Sequence, residues 1–397
     1  MLPGIIFSAT NMMGTADKMR SYYLSLLFSG LLLFSCSNPE NTFSAAKMVN
    51  KKPENIFTEL KLANLQLDSV YCSYTGVSSV DKSGRIIYYD KYFNFVYTFD
   101  GNGKLIEKAV GKGRGPGETT IGQGADAVFS TSGDMALVGS TLDFDYFRSD
   151  MKTHEYFSMY ANYNRNSTAP DNFDTYTYQW DNFVGRLRND ILYIAAFSDR
   201  EEFSFFTTTD DYLRTSYRIG RIDLIKKENA SMLVKGFPEL YIQHPDKYSS
   251  FQNSFFDISD DGRLYLGFES DSHLYECDKD GKPVLSFGLA GRDIQNDYIP
   301  GLSFDDDSNY YLKNREEKGY YSWLEYIDET GMLFRSYVKG KDALTDGLQI
   351  YKSDKTMIAD VDVPKGFKVL GYIEPYYYSQ VVEDAEQGKL SIYRFKL

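Results

Sequence analysis

Histidine, cysteine and tryptophan are scarce in this chain: three, three and two in 397 residues. His154, His244 and His273 stand far apart with no ligand-type spacing, and the cysteines at 36, 72 and 277 form no pair motif. A zinc or other imidazole- or thiolate-held metal therefore has no sequence signature, and no cofactor or metal is expected. Positive charge is also short. Lys and Arg number 43 against 56 Asp and Glu, for a net charge of −13. That balance argues against a nucleic-acid partner and against a basic patch docking on anionic lipid. No long stretch carries a clean helical period, and residues 61–67 are too short to count as one. The apolar run at 22–34 falls short of a membrane-crossing helix.

What is abundant is aromatic: 34 Tyr and 28 Phe. Short runs of Tyr, Phe, Val, Ile and Leu alternate with Asp, Asn, Ser and Gly clusters along the chain, which is an all-β pattern. Repeats refine it. Ser79-Val80-Asp81-Lys82-Ser83-Gly84-Arg85-Ile86-Ile87-Tyr88-Tyr89 reads strand, polar turn, strand, and 257–266 and 127–137 read the same way. A second hairpin follows, at 96–105, 274–282 and 324–333. Gly84 to Gly103 is 19 residues, and Gly262 to Gly281 is again 19. Gly133 plus 19 falls in the polar turn Asp150-Met151-Lys152. Two hairpins at a fixed offset make one four-stranded propeller blade. Further blades are expected to start at 188–193 and 307–311, and a last one to include 366–373, closed by 390–395 or by 56–60 if the chain ends pair. The fold expected is all-β: a six-bladed β-propeller with four-stranded antiparallel blades over residues 55–397. Insertions are expected at 156–183 and 198–217.

The N-terminus reads as an export signal: Lys18 and Arg20, the apolar run, then small Ser35 before Cys36. Leu33-Phe34-Ser35-Cys36 resembles the bacterial lipobox. That resemblance implies cleavage before Cys36 and a lipid on its thiol; a plain signal peptide with an incidental Cys is the alternative. Met19 is a better-placed start than Met1. On this reading 1–35 is signal peptide and 36–54 a polar tether. The location is the cell envelope, on the periplasmic side or the outer surface, and the lipid is the only membrane contact. Cys72 and Cys277 fall in blades one and four, too distant to bridge, so two free buried thiols are expected.

Val110-Gly111-Lys112-Gly113-Arg114-Gly115-Pro116-Gly117-Glu118 resembles the end of NHL-type propeller repeats, and 287–292 resembles a degraded copy. With the lipobox, residues 55–395 resemble the TolB-like and related six-bladed propeller lipoproteins of Bacteroidetes. The first and fourth blades carry most of the match. The resemblance implies fold and export rather than chemistry. TolB-like proteins proper add a separate N-terminal domain, for which this chain has no room.

Motifs for catalysis are thin. In 111–118, Lys112 precedes Gly113, where a phosphate loop needs Ser or Thr and a helix. Asp278-Lys279-Asp280-Gly281 lacks the distal ligands of a calcium loop, and Asp305-Asp306-Asp307 reads as a solvated loop. No Gly-x-Ser-x-Gly elbow occurs. The aromatic clusters Tyr156, Phe157, Tyr160 and Tyr163, then Tyr176, Tyr178 and Trp180, then Tyr376 to Tyr378, suit either core packing or stacking on a partner. The function expected is a monomeric, non-enzymatic binding module for a protein, peptide or glycan. Tyr89, Asp90, Arg114, Glu118 and Arg186 are the candidate ligand contacts, and no catalytic residue is named. The alternative is a hydrolase or lyase acting on a glycan or peptide at the central channel, which requires two acids, or an acid and a His, at one channel mouth.

Overall fold

The computed structural model describes residues 41–397 apart from 123, 160–170, 180–181, 201–202, 205–208, 228–229 and 302–307. The export segment with Cys36, the aromatic residues Tyr160, Tyr163 and Trp180, and the acidic run 305–307 lie outside the described residues.

Six sheets make six blades around an axis. Counted outward from the axis, blade I is Gly76–Val80, Arg85–Asp90, Phe95–Asp100 and Leu105–Val110. Blade II is Asp126–Phe129, Met135–Val138, Asp143–Phe147 and His154–Ser158, and blade III is Gly185–Arg188, Ile191–Arg200, Tyr217–Asp223 and Ser231–Lys235. Blade IV is Ser254–Ile258, Leu264–Phe268, Leu274–Cys277 and Pro283–Phe287, and blade V is Tyr320–Ile327, Met332–Val338, Asp346–Tyr351 and Met357–Val363. Blade VI takes Val369–Ile373, Tyr376–Asp384 and Lys389–Phe395 from the C-terminal end and Ala63–Gln66 from the N-terminal side. Ring closure therefore uses both chain ends, as one expected route had it, but through 63–66 rather than 56–60.

Second and third strands are buried on both faces because each blade is sandwiched between two others; Ile86, Ile87, Tyr88 and Tyr89 are all essentially inaccessible. Outermost strands such as Leu105–Val110 are largely exposed. The aromatic surplus fills the layers between blades: Tyr265 stacks on Tyr326 across blades IV and V, and Phe334 meets Tyr377 across V and VI. Cys72 and Cys277 are free and buried, as expected.

The repeated turns work as their residues suggest. Asp81, Asp100 and Asp278 each accept hydrogen bonds of 2.9–3.0 Å from backbone N–H groups two and four residues on. Gly103 has φ +83°, and a Cβ there would lie 2.6 Å from the Gln66 carbonyl oxygen, so this turn both reverses the chain and packs against the closing strand.

Two expectations need correction. Residues 307–311 do not start a blade; Ser308–Glu317 is an α-helix, and blade V begins at Tyr320. Tyr310, Tyr311 and Asn314 are buried at helical spacing, and Asn314 hydrogen-bonds to Ile299 and Ser250. Tertiary partners thus override a strand-like Tyr pair. The polar stretch read as a tether to residue 54 is, from 41 onward, laid on the ring as a belt. Lys47–Met48 adds a parallel strand to the outer edge of blade IV, Phe57 bridges Ala359 on blade V, and Ala63–Gln66 finishes blade VI. Phe43 is the anchor, packed edge-on to Phe268 and Tyr275. Capping the exposed blade edges satisfies backbone groups that would otherwise be open to strand addition.

Because strands alternate in direction, the connections fall into two sets on opposite faces. One face carries only short turns, of which 224–230 is the longest. The other carries 111–125, 159–184, 201–216, 236–253 and 288–319, and every α-helix among the described residues belongs to one of these connections.

Candidate functional site

The innermost strands run side by side in the same direction, as the parallel bridge between Ser130 and Leu187 records. They enclose a central channel with a cavity of about 640 Å³, lined by residues of blades I, II, III, V and VI. Polar side chains on these strands can point only into the channel or into a neighbouring blade, so they define its chemistry.

Arg186, the one sequence candidate that reaches the channel, sits on the first strand of blade III. Its Nε donates to Asp257 Oδ1 (2.8 Å) on blade IV. Its Nη2 donates to the Leu324 carbonyl (2.6 Å) and to Glu325 Oε2 (3.0 Å) on blade V. Asp257, fully buried, also accepts from the backbone N–H groups of Ile258 (2.8 Å) and Tyr326 (2.7 Å). Arg188 Nη2 lies 3.4 Å from the same carboxylate. Arg186 thus ties three blades together at the axis. Burial, opposed by the Arg186 charge and reinforced by Asp257, raises the Glu325 pKa.

Beside this cluster two cations lie over the Trp323 ring. The Arg186 guanidinium is 4.4 Å from the ring centre and the Lys368 ammonium 4.8 Å. Trp323 is fixed by its indole N–H, which donates to the Val369 carbonyl (2.9 Å). Among the described residues no carboxylate lies within ion-pair distance of Lys368. Burial, with repulsion from Arg186 and Lys91, pushes its pKa down to about 8. Elsewhere in the wall Lys91 pairs with Asp126, and Glu383 accepts from the Tyr88 hydroxyl (2.8 Å).

The other sequence candidates lie elsewhere. Tyr89 is buried between blades, its hydroxyl donating to Asn94 Oδ1 (3.0 Å). Asp90 is a buried turn cap, accepting from the N–H groups of Tyr92 (2.8 Å) and Phe93 (2.9 Å) and from the Ser73 hydroxyl (2.9 Å). Glu118 closes its own loop by accepting from the Gly115 N–H (2.7 Å), and Arg114 is exposed on the same loop, outside the channel lining. Trp323, Glu325, Lys368, Lys91 and Asp126 were missed. The usable signal was charge inside strands expected to be buried, as in Gly185-Arg186-Leu187-Arg188 and Trp323-Leu324-Glu325.

The histidines stand apart from one another and from the channel lining. His154 Nδ1 meets Asp145 (2.7 Å) on the outer part of blade II, and His244 is exposed in the 236–253 connection. His273 Nδ1 lies 3.1 Å from Asp271 Oδ1 in a separate recess over blade IV.

No protein family and no curated protein matches the chain. Solved structures resemble it as folds. A member of the DUF4221 family from Bacteroides vulgatus aligns with a TM-score of 0.62 at 14% identity, covering 87% of this chain and 99% of that one. A protein of Bacteroides fragilis described as a candidate exported protein aligns at 0.49 and 14% identity, covering 88% and 97%. A virginiamycin B lyase from Staphylococcus aureus aligns at 0.43 and 10% identity, covering 85% and 100%. The chain is a six-bladed β-propeller.

Proposed function

We propose that this is a lipid-anchored protein of the cell envelope that binds, without catalysis, a carboxylate-bearing ligand at the channel mouth. The source of the carboxylate is a peptide chain end or an acidic sugar. The observation that carries the reading is Lys368, a half-buried cation held on the Trp323 face with no ion-pair partner among the described residues. A desolvated, unpaired ammonium beside an aromatic plane favours an anion that also has a flat or apolar face. The concentration of long connections on one face supports recognition there, because loops vary without disturbing the sheets. Among the acids at the axis, Asp257 and Glu325 are committed to Arg186, and Asp126 is paired with Lys91.

Calorimetric titration of the mature protein with a short peptide, the same peptide amidated at its C-terminus, and a digalacturonate tests the site. Binding of the free-carboxylate peptide, of digalacturonate or of both, lost in Lys368→Gln and retained in Lys368→Arg, is the expected result. Equal binding of the amidated peptide would remove the proposal. The anchor is tested separately: labelled fatty acid should enter the wild-type protein in a lipoprotein-processing host and fail to enter Cys36→Ala.

A further inference from the structure

The recess over blade IV is a second built cavity of about 500 Å³ on the same face as the channel mouth. Four elements wall it: the belt, the short helices Glu239–Gln243 and Pro245–Tyr248, the 269–273 turn and the connection after blade IV. We infer that it is a separate binding site for a neutral saccharide of two or three rings.

Charge narrows the class first. Among the described residues no Lys or Arg lines the recess, so an anionic ligand would find no strong partner. Its two carboxylates are already engaged. Glu239 accepts from Asn41 Nδ2 (2.9 Å), and Asp271 accepts from the Tyr275 hydroxyl (2.7 Å) and from the His273 backbone N–H (2.9 Å). A cationic ligand would compete with these bonds and would also meet His273, whose proton affinity is raised by its bond to Asp271.

What remains suits hydroxyl groups. Asp271 holds the Nδ1 side of the His273 ring, leaving Nε2 to serve a ligand. Gln243 and Asn296 are exposed side-chain amides at the rim. The Ser270 hydroxyl, nine-tenths buried in the wall, lies beside Tyr241 and Tyr298. Tyr248, half-buried in the lining, supplies a ring of the kind that packs against the C–H side of a sugar. A volume within the ordinary range of small-ligand pockets takes two or three hexose rings but not a long chain.

The test is calorimetric titration of the mature protein with maltotriose and N,N′-diacetylchitobiose, with choline as the cationic comparator. At least one of the two sugars should bind. His273→Ala should weaken it about tenfold, a loss expected when a hydrogen bond or two disappears, and Lys368→Gln in the channel should change it less than twofold. If His273→Ala fails to fold, Asn296→Ala at the exposed rim serves instead. The inference is overturned if neither sugar binds, if choline binds in their place, or if the loss follows the channel substitution and not the recess ones. Because the channel variant reads out independently, failure here leaves the carboxylate site standing, and the reverse also holds.

Discussion

The two faces of the ring obey different rules. On the short-turn face, Asp81, Asp100 and Asp278 repeat one solution: a carboxylate caps the turn and a glycine at positive φ completes it. On the opposite face the connections differ in length and content. One is an Asp90-capped tight turn, another is the loop closed by Glu118, and others hold helices. The lesson is that repetition marks the frame and irregularity marks the surface free to specialise. Arg186 shows that the boundary is not drawn by residue type. It is a charged channel residue, yet its partners on blades IV and V assign it to the frame, while Lys368 beside it has no ion-pair partner among the described residues.

The sharpest test of that division compares these two cations. Arg186→Ala leaves Asp257 and Glu325 without their main counter-charge and should cost about 3–5 kcal/mol in denaturant unfolding. Lys368→Gln removes a desolvated, unpaired cation and should leave stability unchanged or raise it at neutral pH; a loss as large as that of Arg186→Ala would move Lys368 into the frame. Next in size, two glycines of nearly equal φ separate packing from backbone conformation. Gly103 and Gly124 both have φ +83°, but a Cβ at Gly103 would strike the Gln66 carbonyl, whereas at Gly124 nothing lies within 4 Å. Gly103→Ala should destabilise by about 2–3 kcal/mol and Gly124→Ala by about 1 kcal/mol. Equal losses in thermal unfolding would show that the closing strand yields to the turn.

A smaller effect follows from pH. Burial lowers the Lys368 pKa to about 8, below its ordinary value of about 10.4. Between those values the unfolded chain holds more protons than the folded one, so this group makes the protein more stable as pH rises from about 8 to about 10. Carboxylate binding has the opposite slope, weakening as Lys368 loses its proton above about pH 8. Binding that is flat from pH 7 to 9.5 would place the ligand elsewhere. Smallest of all is thiol reactivity. Burial pushes the thiols of Cys72 and Cys277 up, so neither should react with a thiol-specific reagent until the protein unfolds.

The frame was legible in the sequence because its turns are written locally. Asp or Ser, then Gly, at a constant 19-residue offset needs no knowledge of distant contacts. The helix Ser308–Glu317 was not legible, because its order depends on Asn314 reaching Ile299 and Ser250. The belt was missed for a related reason: residues 41–54 are polar by composition, and one aromatic anchor at Phe43 outweighs that when a hydrophobic slot awaits it. Of the five candidate contacts only Arg186 reached the channel. Tyr89, Asp90 and Glu118 were picked for lying near loops, yet a loop residue is as often the loop's own fastener as a hand held out to a ligand.

The seam in blade VI has a temporal consequence. Asn64 and Ser391, hydrogen-bonded across it, are 327 residues apart in the chain. A nascent polypeptide therefore emits one half of the clasp 327 residues before the other. Such long-range pairing is slow to form and cannot be completed on a partial chain. On the export route proposed above, in which the chain crosses a membrane in extended form, a clasp that stays open until Lys389–Phe395 arrives is a built-in delay against premature folding.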